Sequence, residues 1–151
     1  MNLDISIDDK GWSVVPGLKR LARRALKATL SDSDVSLSLL FTSDAKILEV
    51  NRQWRGKAAA TNVLSFPVSS KMPIPAGEPR PLGDIVLAFG VVSREALEQK
   101  KTLGHHVTHL IVHGLLHLLG YDHEDDGEAE AMEAREIAVL AGLGMENPYA
   151  S

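Results

Sequence analysis

The sequence predicts an α+β domain in which a small mixed β-sheet packs against helices and a metal site lies at the end of a long central helix. Three observations lead to this prediction. Strand-like segments come mostly early in the chain and helical segments mostly late. A chain of 151 residues can bury one core, so residues 1–151 are expected to form a single compact domain. All six histidines lie between positions 105 and 123.

The composition indicates a soluble globular protein. Hydrophobic residues make up 44% and charged residues 24%, and the net charge of -4 argues against a uniformly basic surface for nucleic acids. The absence of cysteine excludes disulfides, thiolate metal ligands and a cysteine nucleophile. The N-terminus lacks the features of a secretory signal, and no apolar run approaches the roughly 20 residues of a membrane span. We therefore expect a cytoplasmic protein that does not bind membranes.

The first half of the chain predicts two strands and two helices. Apolar and polar residues alternate over 1–7 and again over 35–41, as in half-buried strands. Residues 14–30 carry apolar side chains at helical spacing among basic ones. The basic face of that helix contacts either RNA phosphates or solvent, and solvent is the preferred interpretation. Ser43 is positioned to cap a helix that runs to about residue 54.

The second half predicts two further strands and three helices. Residues 61–68 and 82–89 have strand patterns, and the proline-rich stretch 69–81 between them predicts a loop. Ser93 is expected to cap a short helix that ends near residue 101. Residues 103–119 predict the long histidine-bearing helix, and residues 128–140 predict a final acidic helix.

Three histidines have the spacing of a mononuclear metal site. His113 and His117 are four residues apart, so they project from one face of the helix. His123 would lie about 15 Å further along a straight helix, but Gly120 predicts a helix end that lets the chain turn back. His109 lies on the same face of the helix and could also bind the ion, but it would then displace His123. We therefore expect His109 beside the site. The predicted ligands are therefore His113, His117 and His123.

Two other histidines in the cluster are expected to have structural roles. His106 is about 10 Å along the helix axis from His113, too far to share one ion with it. For His105 and His106, an ordinary surface or core role is the preferred interpretation.

Three nitrogen ligands leave one coordination position open for water, as in catalytic rather than structural zinc. Nickel, copper and iron also bind such sites. Metalloproteases of the zincin type carry a glutamate directly after the first histidine, whereas this chain has Gly114. The glycine either leaves room above the metal or allows close contact with the sheet.

The segment 113–123, HGLLHLLGYDH, resembles the signature of the YbeY endoribonucleases, the bacterial ribosomal RNA maturation factors. Other segments are similar to further blocks of that family, in the same order and over most of the chain. These segments are 51–55 (NRQWR), 61–67 (TNVLSFP) and 82–85 (LGDI).

The resemblance implies a compact α+β domain with one Zn²⁺ in a cleft and metal-dependent cleavage of single-stranded RNA. It further implies a role in small-subunit (16S) ribosomal RNA processing and ribosome quality control. The implied partners are precursor ribosomal RNA and the small ribosomal subunit with its proteins, and no DNA is expected. Carried over by position, His113, His117 and His123 are the zinc ligands, and Arg55 is the catalytic cation facing the cleft.

The chain departs from the common family pattern at two positions. The family commonly has aspartate where this chain has Asn62, and often proline where it has Ala60, so neither an acid role nor a metal-orienting role is expected at position 62. Ser65 is expected to form hydrogen bonds near the cleft rather than act as a nucleophile. Two alternatives stay open: a non-catalytic ribosome-assembly factor with a structural metal, and a metalloprotease.

Overall fold

The fold is built on a four-stranded mixed sheet. The computed structural model describes residues 1–30, 34–68, 73–122 and 124–150. The strands follow the order β1-β2-β4-β3, with β1, β2 and β4 parallel and β3 antiparallel to β4. Strand β3 is therefore an edge strand. The strand bounds are Asn2–Ile7 (β1), Val35–Thr42 (β2), Val63–Pro67 (β3) and Arg80–Ala88 (β4).

The described residues also form five helices, and a short 3-10 helix at Lys10–Val14 follows β1. The predicted α+β class with a mixed sheet is confirmed. Among the described residues, none of the helices has the length and apolar content needed to cross a bilayer. The helix bounds are Leu18–Thr29 (α1), Asp44–Arg55 (α2), Phe89–Glu98 (α3), Leu103–Leu118 (α4) and Asp126–Gly142 (α5).

Alternation along β2 produces two hydrophobic cores of unequal size. Its odd-numbered residues, such as Leu39, are buried on the face that packs against α1 and α4. The opposite face holds a smaller core in which Ile47 of α2 packs with Val86. Helix α4 lies within the main core, since ten of its residues are buried. That burial holds the backbone carrying the central histidines in place.

The predicted helix over 14–30 begins later than expected. Gly17 has a φ of +66° and forms the N-cap, so α1 begins at Leu18 instead. A left-handed residue cannot continue a right-handed helix, which explains the later start.

The prediction that Ser93 caps a helix is wrong. Helix α3 begins at Phe89, directly after β4, and Ser93 lies inside it. Its first turn is capped from another element, because an Asp44 carboxylate oxygen accepts from the backbone N–H of Val91 at 3.0 Å. This contact between elements distant in sequence replaces the local cap.

The predicted loop over 69–81 is shorter than expected, and part of it lies outside the described residues. Arg80 and Pro81 belong to β4, where they pair with Val35 and Ser36 of β2. Residues 69–72 are not among those described.

Gly114 brings helix α4 against the sheet. A Cβ atom at this position would lie 3.0 Å from Oγ of Ser65 and 3.1 Å from Cγ2 of Ile85. Such distances are tighter than ordinary packing allows. Close contact with the sheet therefore explains this glycine, and it places the histidine face of α4 beside strand β3.

Candidate metal centre

Helix α4 presents two histidines to the same point. The Nε2 atoms of His113 and His117 lie 3.2 Å apart. Residues four apart on a helix are neighbours on its surface, so the spacing in the sequence produces this convergence directly. Both side chains line a cleft between the end of α4 and strand β3.

The tautomer of His113 is fixed by a buried carboxylate. Its Nδ1 atom lies 2.5 Å from Oε1 of Glu136, whose side chain is 1% exposed. Burial raises the pKa of Glu136, but hydrogen bonds from His109, His113 and Tyr149 outweigh burial and lower the pKa to about 2. An ionised carboxylate only accepts hydrogen bonds, so Nδ1 of His113 donates, and in the neutral imidazole Nε2 is the nitrogen with the lone pair.

The tautomer of His117 is fixed by a turn of the backbone. Gly120 has a φ of +102°, and the N–H of Tyr121 donates to the carbonyl of Leu116 at 3.0 Å. This arrangement ends the helix as expected and brings the carbonyl of Tyr121 to 3.1 Å from Nδ1 of His117. A carbonyl only accepts, so Nδ1 of His117 donates, and in the neutral imidazole the lone pair is on Nε2, on the side of the cleft.

The two lone pairs fit a metal ion. Ligands at about 2.0 to 2.1 Å in tetrahedral geometry would be roughly 3.3 Å apart, close to the separation of the two Nε2 atoms. A carboxylate and a carbonyl on the opposite ring nitrogens are the usual outer partners of metal-binding imidazoles. His123 lies outside the described residues, so two of the three predicted ligands are described, and the structure brings them together.

The remaining described histidines point elsewhere. His109 Nε2 lies 3.0 Å from Oε2 of Glu136, which places His109 beside the site, as predicted, and not toward His117. His106 is buried, and its Nε2–H donates to Glu95 at 2.9 Å. Burial lowers the pKa of His106, so it stays neutral at neutral pH and has the core role expected of it.

Arg55 lies at the rim of the same cleft, which has a volume of about 530 Å³. It is the last residue of α2, and within the described ranges it forms no ion pair. Its guanidinium is therefore available to an anionic ligand. The structure thus places Arg55, His113 and His117 around one opening.

Ser65 and Asn62 complete the described wall on the side of β3. The hydroxyl of Ser65 donates to the carbonyl of Gly114 at 3.0 Å, in the hydrogen-bonding role expected for it. Asn62 donates from Nδ2 to both oxygens of Glu95, at 3.1 and 3.3 Å, and accepts from the N–H of Val63. These contacts engage both the Nδ2 and the Oδ1 atom of Asn62 in hydrogen bonds within the wall.

An acidic group lies after the helix end. Carboxylate oxygens of Asp122, Glu124 and Glu128 lie within 4.8 Å of one another, and all three residues are exposed. No spacing pattern in the sequence predicts this group. Exposed acidic clusters are common on soluble proteins, so this one assigns no metal by itself.

Sequence reasoning missed Glu136 and Tyr149. Glu136 occupies the apolar stripe of α5, four residues after Met132 and three before Val139, both of which are buried. A charged residue at a position that helical periodicity predicts as buried is a detectable signal, since acids are rarely buried without partners. Tyr149 carries no such signal, because it lies beyond the last helix.

Comparisons with known proteins agree with the fold and extend over nearly the whole chain. Residues 5–144 match the family model described as Endoribonuclease YbeY. Proteins named Endoribonuclease YbeY from Azorhizobium caulinodans and Agrobacterium fabrum are 46% and 47% identical over 99% of this chain and 97% and 95% of their own lengths. A solution structure from Thermotoga maritima has a TM-score of 0.57 at 25% identity, covering 99% of this chain and 96% of its own. With a match of this extent, the chain belongs to the YbeY family of endoribonucleases.

Proposed function

We propose that this protein is a zinc-dependent endoribonuclease that cleaves single-stranded RNA during processing of small-subunit (16S) ribosomal RNA. The proposed ligands of the single Zn²⁺ are His113, His117 and His123. Arg55 is the proposed phosphate-binding residue. The names of the relatives support RNA as the substrate class.

One observation carries the metal part of the proposal. Nε2 of His113 and Nε2 of His117 face each other at 3.2 Å, while both Nδ1 atoms meet groups that only accept hydrogen bonds. Two imidazole nitrogens that direct their lone pairs to one point at this spacing can bind a single metal ion together. The open cleft beside the pair supports an ion with an accessible position.

The residues around the cleft would have separate roles in phosphodiester cleavage. Arg55 would bind nonbridging phosphate oxygens with its planar guanidinium and stabilise the negative charge that builds up during cleavage. Glu136 and the Tyr121 carbonyl would hold the two imidazoles with Nε2 toward the cleft. When bound, the zinc ion would supply Lewis-acid polarisation of the phosphate and activation of water. Ser65 is committed to the Gly114 carbonyl, which argues against a serine nucleophile.

An exposed aromatic residue supports single-stranded RNA over other substrates. Trp54 precedes Arg55 on the last turn of α2 and is 74% exposed. It flanks a groove that also contains Phe66, and Pro67 borders both this groove and the metal cleft. Exposed aromatic rings next to cations bind unpaired bases by stacking while the cation contacts the phosphate. A base on Trp54 would place an adjacent phosphate near Arg55.

A substrate panel tests the activity. Zinc-loaded protein from a nuclease-deficient host is incubated with four substrates: single-stranded RNA, the same RNA in a duplex, single-stranded DNA of the same sequence, and an unfolded protein. We expect cleavage of the single-stranded RNA alone. Cleavage of the protein substrate instead would support the metalloprotease alternative.

The ribosomal role is tested in cells. We expect that depletion of the protein leads to accumulation of unprocessed 16S precursor and that the parent gene restores processing while Arg55→Ala does not. Full rescue by Arg55→Ala would favour the assembly factor with a structural metal.

A further inference from the structure

A buried hydrogen-bond network around Glu136 links helix α5, helix α4 and the C-terminal segment. Oε1 of Glu136 accepts from His113. Oε2 accepts from Nε2 of His109 at 3.0 Å and from the hydroxyl of Tyr149. Each oxygen of the carboxylate therefore has its own donors, and no lysine or arginine pairs with it among the described residues.

We propose that Glu136 and Tyr149 are positioning residues of the metal site, through which the C-terminal segment fixes the tautomer and orientation of His113. The inference rests on the proposed metal-dependent function and adds residues outside the histidine motif. Tyr149 also lies beyond residue 144, where the match to the family model ends.

The donors on Oε2 of Glu136 keep Oε1 directed at His113. A carboxylate that is free to rotate would offer either oxygen, or neither, to His113. With His109 and Tyr149 both on Oε2, the other oxygen stays directed at Nδ1 of His113. Burial and the adjacent Glu136 carboxylate raise the pKa of Tyr149, so its hydroxyl remains a donor at neutral pH.

The C-terminal segment is held in place by contacts that do not involve Glu136. Nζ of Lys101 donates to the carbonyl of Pro148 at 3.1 Å and so joins the segment to the residues before α4. Within the segment, the N–H of Tyr149 donates to Oδ1 of Asn147 at 2.8 Å. The Tyr149 ring stands edge-on to the ring of His109, with centroids 5.5 Å apart. Tyr149→Phe therefore keeps the ring and its packing and removes only the hydroxyl.

The tautomer of His113 is measured in the metal-free, full-length protein by long-range ¹H–¹⁵N correlation NMR of the histidine rings. We expect the Nδ1–H form in the parent. Glutamine has one acceptor oxygen for three donors, so Glu136→Gln should give a mixture of tautomers at His113. Tyr149→Phe should shift the population in the same direction by less.

Zinc affinity is measured on the same proteins by competition with a chromophoric chelator. We expect Glu136→Gln to bind zinc about 10- to 100-fold more weakly and Tyr149→Phe to show a smaller loss, up to about tenfold. The matched control is Thr29→Val, which removes another buried hydroxyl hydrogen bond, to the Ala25 carbonyl at 2.8 Å, in helix α1. It should retain both the parent tautomer and the parent affinity.

An unchanged His113 tautomer and unchanged zinc affinity in both variants would overturn the inference. If Glu136→Gln does not fold, Tyr149→Phe decides alone, because Tyr149 is half-exposed. If the parent binds no zinc, the proposed function fails, while the tautomer measurement still decides whether Glu136 and Tyr149 position His113.

Discussion

The Nε2 atoms of His113 and His117 lie 3.2 Å apart, and the Nδ1 atom of each ring donates to a hydrogen-bond acceptor on its opposite side. The acceptor behind His113 comes from a helix more than twenty residues later, and the acceptor behind His117 from the turn that follows its own helix. Two imidazole nitrogens held in this way can bind one metal ion together.

His117→Ala should abolish stoichiometric zinc binding. The parent is expected to carry one zinc per chain after loading and desalting, measured by plasma mass spectrometry, and the variant close to none. His105→Ala is the matched control, since His105 is an exposed histidine on the same helix. A His117→Ala protein that retained one zinc would show that the ion binds elsewhere.

Arg55→Ala should lower the rate of RNA cleavage by about 10²- to 10³-fold, as expected when a group that stabilises transition-state charge is lost. Its zinc content should equal that of the parent. Arg52→Ala is the control, because Arg52 lies on the same helix but pairs with Glu49 at 2.6 Å. Single-turnover rates with saturating enzyme measure the effect, and equal rates for Arg55→Ala and Arg52→Ala would contradict the assigned role.

Trp54→Ala should weaken binding of short single-stranded RNA by about 1–3 kcal/mol, the usual contribution of one stacked base. Trp54 is exposed, whereas Trp12, the other tryptophan, is 1% exposed. Quenching of tryptophan fluorescence by RNA should therefore come from Trp54 and vanish in Trp54→Phe. Leu97→Ala is the control for loss of an exposed apolar side chain, since Leu97 is 80% exposed. Quenching that persisted in Trp54→Phe would argue against stacking at this position.

The stability of the metal-free protein should depend on Glu136 in acid. Its pKa is lowered from 4.5 to about 2 in the folded protein, so the unfolded chain takes up the proton first as the pH falls. The stabilisation is therefore complete above about pH 4.5 and is lost as the pH falls toward 2, by an amount on the order of 3 kcal/mol.

Denaturant unfolding of the parent and of Glu136→Gln between pH 6 and pH 2.5 measures this effect. We expect a constant difference in the free energy of unfolding above pH 5 and a shrinking difference below it. A difference that stayed constant down to pH 2.5 would rule out an ionised Glu136 as the source.

The sequence was informative where local geometry decides the structure. Helical spacing predicted the convergence of His113 and His117, Gly120 predicted the end of α4, and Ser43 does cap α2. Each of these features depends on residues within a few positions of one another.

The sequence was uninformative where distant elements meet. The strand order, the cap that Asp44 provides for α3, and the contact of Tyr149 with Glu136 each join residues that only the folded chain brings together. Of the residues that form these contacts, Glu136 is the one that the sequence could have indicated, because it is an acid on the apolar stripe of a helix.

We propose that zinc held by the α4 histidines is required for RNA cleavage. The most direct test is to titrate zinc into metal-free parent and His117→Ala proteins and to follow cleavage of one labelled single-stranded RNA. We expect parent activity to rise in proportion to bound zinc up to one ion per chain and His117→Ala to stay inactive throughout. Full activity of the metal-free parent, or equal activity of His117→Ala, would contradict it.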